Sequence, residues 1–167
     1  SSDLALIEVM IKQGAAAEEV NASLAETIRA NASEPAPHLL LIARLSAARD
    51  AKAALSAAQA ALAVLPDNKD ILDAVGRAQV NAGDDQQAIS TFNRILSLDP
   101  KSAVTYLRLA DLHERRKDSE AAMLNLKRAI DADPEARVVQ QRIIAHAVAT
   151  KDSKFALGVA KDLQRKR

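Results

Sequence analysis

Shifting this 167-residue chain by 34 positions lays like residues over one another, and that period constrains the fold more than any other feature of the sequence. Ala54, Ala88, Ala122 and Ala156 form one row, Asp50, Asp84, Asp118 and Asp152 a second, and Pro66, Pro100 and Pro134 a third. Leu55, Ile89, Met123 and Leu157 form a fourth; Leu62, Leu96 and Ile130 form a fifth that breaks at Gln164. A unit of this length cannot bury an apolar face alone, so neighbours must stack to complete the core.

Each row has a mechanical reading. The alanines fall where two helices must come close, and a small side chain permits a short interaxial distance. The aspartates follow the first helix of each unit, where a carboxylate can accept from the free N–H groups of the next helix and offset its dipole. Asp84 and Gln87 have capping-box spacing. The prolines end the second helix, because proline has no N–H and restricts the residue before it. The large apolar residues fill the space between neighbouring pairs.

Helical periodicity places helices at 3–13, 17–31, 37–48, 51–64, 69–82, 85–98, 103–116, 119–132, 137–150 and 153–165, with no strand pattern. Pro35 and Pro37 close a loop-like stretch and also suit the first turn of the helix that follows. Hydrophobic residues make up 49% of the chain but aromatics only 2%, so alanine and leucine must fill the core. The expected fold class is all-α: antiparallel helix pairs, each helix about 20 Å long, stacked in order as a solenoid with a concave face.

The stretch Lys69–Pro100 resembles a tetratricopeptide (TPR) repeat. Leu72, Val75, Gly76, Gly83, Ala88, Phe92, Ile95 and Pro100 fall where that family has its large, apolar, small, glycine, alanine, aromatic, apolar and proline positions. Tyr106, Leu109, Ala110, Ala122, Leu126, Ala129 and Pro134 repeat the pattern, as do His38, Leu41, Leu45, Ala54, Ala58, Ala61 and Pro66. Ile143, Ala156, Ala160 and Leu163 continue it. The resemblance implies repeats at 35–68, 69–102, 103–136 and 137–167, preceded by a degenerate first pair at 1–34, in which Gly14 and Ala32 miss the turn and proline rows. Ile42 and Ile144 stand where Gly76 and Ala110 are small, so helix approach there is expected to be wider. Arg49, Lys117 and Lys151 stand where Gly83 makes the turn; if those turns are left-handed, each costs on the order of 1 kcal/mol relative to glycine.

No enzyme signature emerges, and neither a cofactor nor a metal site is expected. His38, His113 and His146 lack the i, i+4 spacing of a zinc pair. His38 and His113 fall where the family has bulky aromatics, which implies packing. The acidic pairs Asp84/Asp85 and Asp131/Asp133 read as helix-end caps. Gly76 and Gly83 follow no strand, so no phosphate loop is implied. A formal net charge of +1, with charges interspersed, argues against nucleic acid. No apolar run is long enough to span a bilayer. With no cysteine, disulfides and thiolate chemistry are excluded. The basic end, Lys161 with Arg165, Lys166 and Arg167, reads as the polar side of a terminal helix.

The resemblance implies a non-enzymatic scaffold for protein–protein interaction. Its groove is lined by the first helix of each pair: Leu39, Ala43 and Ala47; Asp73, Arg77 and Asn81; Leu107, Asp111, Glu114 and Arg115; Gln141, Ala145 and Val148. A peptide or partner helix is the expected ligand. The lysine and asparagine of chaperone-tail binders are absent at Asp73 and Arg77, which argues against that subgroup. The alanine- and leucine-rich texture also resembles bacterial TPR lipoproteins of exosortase/PEP-CTERM systems. That likeness would imply a lipid-anchored, periplasmic or cell-envelope setting in protein sorting or exopolysaccharide export; otherwise the cytoplasm is expected. The alternatives are a self-associating, homo-oligomeric spacer and a helical accessory domain of a larger enzyme.

Overall fold

A computed structural model describes residues 2–151 together with Lys154, Leu157, Gly158 and Lys161. The described residues form nine helices and no strand: α1 (Ser2–Lys12), α2 (Ala17–Ala30), α3 (Pro35–Ala47), α4 (Ala51–Val64), α5 (Lys69–Asn81), α6 (Asp85–Leu98), α7 (Ala103–Arg115), α8 (Ser119–Ala132) and α9 (Arg137–Thr150). These bounds meet the sequence expectation to within two residues. The largest difference is α3, which begins at Pro35 rather than at 37. Proline at the first helical position loses nothing, since its missing N–H would have no partner there. Most of the helix expected at 153–165 lies outside the described residues, and so do Asp152, Ala156, Ala160, Leu163 and the basic end from Arg165.

The turns inside the pairs are built alike. Arg49 (φ 59°), Gly83 (φ 83°), Lys117 (φ 61°) and Lys151 (φ 56°) are all left-handed. At the first three of these turns the next residue's N–H returns to a carbonyl five residues back: Asp50 to Leu45, Asp84 to Gln79, Asp118 to His113. Each left-handed residue's own N–H reaches a carbonyl three back. This is the Schellman arrangement. Its last residue is also the N-cap of the next helix: Asp50, Asp84 and Asp118 accept from the N–H of Ala53, Gln87 and Ala121 at 2.9, 3.2 and 3.1 Å. The capping box is only half made, because Gln87 Oε1 accepts from Gln79 Nε2 at 3.3 Å rather than turning back to Asp84. Arg49→Gly is expected to raise stability by about 0.5–1 kcal/mol, since relief of the left-handed cost outweighs glycine's entropy. Gly83→Ala is expected to lower it by about 1 kcal/mol; urea unfolding of the two variants checks both signs.

The first pair follows the same plan with its turn one residue early. Gly14 is left-handed (φ 78°), and Ala15 N–H returns to Met10 O at 3.0 Å. Ala16 then stands at the N-cap of α2 with no side-chain bond. A second device ties the loops that lead into α3, α7 and α9. His38 Nε2 meets Ala32 O at 2.9 Å, Tyr106 Oη donates to Pro100 O at 3.1 Å and Gln140 Nε2 donates to Pro134 O at 2.8 Å, each pair six residues apart. A carbonyl only accepts, so His38 carries its hydrogen on Nε2. Ala32 therefore belongs to the proline row in position, though not in residue type.

The chain divides into two compact units, residues 1–94 and 95–167. In the first unit Ile7, Val20 and Leu24 bury one cluster between α1 and α2, with Leu40 and Leu41 against it. Ile42, Ala58, Ala61, Ile71, Val75 and Ala78 bury a second across α3, α4 and α5. In the second unit Leu107, Ala110, Leu126, Ala129, Ile130, Val139, Ile143 and Ala147 join α7, α8 and α9. Burial of these apolar faces is the main stabilising term.

Size is traded between partner positions. Gly76 packs under Phe92, Ala110 shares a cluster with Leu126, and Ile42 shares one with Ala58. Ile42 thus shares its cluster with an alanine where Gly76 meets a phenylalanine, so a large residue in one row is matched by a small one in the other. Ile144, in the same row, is 60% exposed, while Ile143 beside it is buried.

Candidate functional site

In the first unit, the first helices α3 and α5 lie side by side and leave a cleft of about 320 Å³. Leu39, Ile42 and Ala43 form its wall on α3; Asp70, Asp73 and Ala74 form its wall on α5; Ser46 and Arg77 complete it. These side chains recur at three- and four-residue steps, so each helix turns one stripe toward the cleft. Leu39 is half-buried against the core cluster below. Arg77 Nη1 lies 3.7 Å from Asp73 Oδ2, one helical turn away, and is half exposed. At that length the contact is an ion pair rather than a hydrogen bond. Four residues expected in the groove, Leu39, Ala43, Asp73 and Arg77, are therefore brought together here. Asn81 and Ala47 are exposed at the ends of α5 and α3, away from the cleft lining.

In the second unit the equivalent surface is closed by a charge network. Arg142 of α9 donates through Nη2 to Asp111 Oδ1 and to Glu114 Oε2, the latter at 2.9 Å. Glu114 Oε1 accepts from His146 Nδ1 at 2.9 Å. A carboxylate oxygen accepts, so His146 carries a hydrogen on Nδ1. His146 is buried, and Thr150 Oγ1 bonds its carbonyl at 2.9 Å. Burial alone would lower the Arg142 pKa, but the charges and hydrogen bonds of Asp111 and Glu114 outweigh it and leave the guanidinium above its ordinary value. Arg142 Nε is buried and makes no hydrogen bond. A second cleft of about 480 Å³ opens beside this network, between the α7–α8 turn and α9, with Lys117, Ser119, Ala145 and Ala149 among its lining.

Of the residues expected on this face, Asp111 and Glu114 join the network, and Arg115, Gln141 and Val148 are exposed. Leu107 is only 8% exposed and packs in the core, so it offers a ligand little apolar surface. Arg142, Asp70 and Ala74 were not anticipated, and the sequence assigned His146 no role. The signal for Arg142 was a basic residue 31 and 28 positions after two acids, about one repeat on, where neighbouring first helices come into register. His38 packs as expected, 4% exposed. His113 is half-buried, with Nδ1 3.5 Å from Asp118 Oδ2. Among the described residues, no three His, Asp or Glu side chains are grouped to hold a metal, and no helix is long and apolar enough to cross a membrane.

Residues 80–145 match the family model of the tetratricopeptide repeat. Among solved structures, MamA (41-end) from Desulfovibrio magneticus RS-1 superposes with a TM-score of 0.75 at 18% identity, covering 98% of this chain and 92% of that one. A tetratricopeptide repeat protein from Parabacteroides merdae ATCC 43184 gives a TM-score of 0.76 at 13% identity, over 99% of this chain and 65% of that one. YrrB, a TPR protein with an unusual peptide-binding site, gives 0.65 at 21% identity over 75% of this chain and 64% of that one. No curated protein matches the chain. The fold is thus the helical-hairpin stack of these proteins.

Proposed function

We propose, from a helical-hairpin stack of the tetratricopeptide kind, that this chain is a non-enzymatic interaction scaffold whose first helices receive an extended peptide or a partner helix. The observation that carries this reading is the cleft between α3 and α5, lined by Leu39, Ala43, Asp73 and Arg77. Its half-buried apolar floor supplies contact area, and its charged rim supplies orientation. The match to the repeat family and the fold shared with a peptide-binding TPR protein support it. Placement in an envelope sorting or export system would rest on sequence texture alone, and a lipid-bearing cysteine encoded upstream in the gene would carry it.

Ala43→Trp fills the cleft from its exposed wall, and Ser90→Trp places the same side chain on an exposed position of α6. In pull-downs from envelope and cytosolic fractions, a partner retained by the native chain and by Ser90→Trp is expected to be lost from Ala43→Trp. Identical captured sets for the two variants would remove this cleft from the reading.

A further inference from the structure

The place of the α3–α5 cleft in the repeat frame recurs in the second unit, and there an arginine lies across it. In the second unit Arg142 extends from α9 across to Asp111 and Glu114 on α7. Two periods earlier the position of Arg142 is Ala74, and the positions of Asp111 and Glu114 are Ala43 and Ser46. With no long side chain at 74, the cleft between α3 and α5 stands open. Its acids are on the opposite wall: Asp70 and Asp73 on α5.

We propose that the α3–α5 cleft takes an arginine or lysine side chain of the bound peptide, in the place that Arg142 occupies in the second unit. This inference rests on the groove reading above and names the residue class that the groove selects. The aliphatic stem lies on Leu39, Ala43 and Ala74, as long basic side chains do on apolar surface. The charged head meets Asp70 and Asp73. Arginine suits this better than lysine, because its planar fork can serve two carboxylates at once and is more weakly hydrated. An acidic side chain in the same cleft would face both carboxylates and is disfavoured by like-charge repulsion. The rim cation Arg77 lies beside Asp73 at the exposed edge, and its pairing there leaves the floor of the cleft unfilled.

The test uses the full chain labelled with ¹⁵N and four probes of one length: acetyl-Ala-Leu-Arg-Leu-Ala-amide and the same peptide with lysine, norleucine or glutamate at the centre. The arginine peptide is expected to move the amide signals of Leu39–Ser46 and Asp70–Arg77, and to bind roughly tenfold more tightly than the glutamate peptide, the scale of one charge-assisted contact. Asp70→Asn with Asp73→Asn should reduce it to the affinity of the norleucine peptide. Ala74→Arg, which reproduces the second unit's filling, should abolish the response while leaving the helical circular dichroism unchanged. If the norleucine and arginine peptides bind alike and move the same signals, the groove reading stands and the basic-residue inference falls. If no peptide moves those signals at millimolar concentration, both fall. Equal or tighter binding of the glutamate peptide overturns the inference directly.

Discussion

Gly76→Ala is expected to lower stability by about 1–2 kcal/mol, although alanine is the better helix former by about 1 kcal/mol. The reason is contact. A Cβ on Gly76 would sit 2.5 Å from Phe92 Cε1 and 2.7 Å from Cζ, inside any tolerable carbon–carbon distance. Phe92 is 1% exposed, so its ring cannot swing away without disturbing α5 and α6. Forcing one methyl into such a site costs about 1–3 kcal/mol. Phe92→Ala should cost more, about 3–5 kcal/mol, since it empties the space altogether. The pair is a double-mutant cycle waiting to be measured by urea unfolding. In a Phe92→Leu background the clash disappears, and Gly76→Ala should become neutral or mildly stabilising. The same loss in both backgrounds would show that the two residues are not coupled.

Glu114→Ala is expected to cost about 1–3 kcal/mol, and Asp111→Ala no more than about 0.5–1 kcal/mol, although both carboxylates hold the same guanidinium. Glu114 alone also accepts from the buried His146, so its removal strands a donor that water reaches poorly. Asp111 is 54% exposed at the side chain, where solvent replaces much of what it supplies. Gln141→Ala, on the exposed face of the same helix as Arg142, should stay within about 0.5 kcal/mol and serves as the control. Arg142 has a raised pKa, so its contribution is complete below its unfolded value and is lost only as pH rises past the folded one. Alkaline titration short of that range should therefore leave the network intact. Equal losses at Glu114 and Asp111, measured by chemical unfolding at neutral pH, would mean that the histidine contributes nothing through this bond.

The helices were legible because their cause is local. Pro66 and Pro100 stop one helix, Asp50 and Asp118 start another, and the apolar stripes fix which side turns inward. The candidate site was legible only in part, because its causes lie between helices. The repeat frame placed Asp73 and Arg77 on a first helix, and the structure sets them on the cleft beside Leu39 and Ala43. It gave no warning that Leu107, in the same row as Leu39, would sink into the core, since burial depends on what α8 and α9 bring against it. Nor does a period of 34 reveal Arg142 reaching back to Asp111, a contact that hangs on the length and direction of a side chain. Gln87 is a similar case: its spacing from Asp84 fits a capping box, but Gln79 on the neighbouring helix offers a competing partner.

The hairpin turns have a consequence for how such a chain can change length. Between the left-handed Arg49 and the start of α4 there is one residue, Asp50, which both closes one helix and opens the next. One inserted residue there would turn every later side chain of that helix by about 100° and carry its apolar stripe out of the core. The pair α1–α2 does carry one more residue after its left-handed Gly14, and α2 nevertheless begins at Ala17, one period before Ala51. The surplus is absorbed by ending α1 sooner. What the architecture holds fixed is thus the total span of a hairpin, while the border between helix and turn can slide within it.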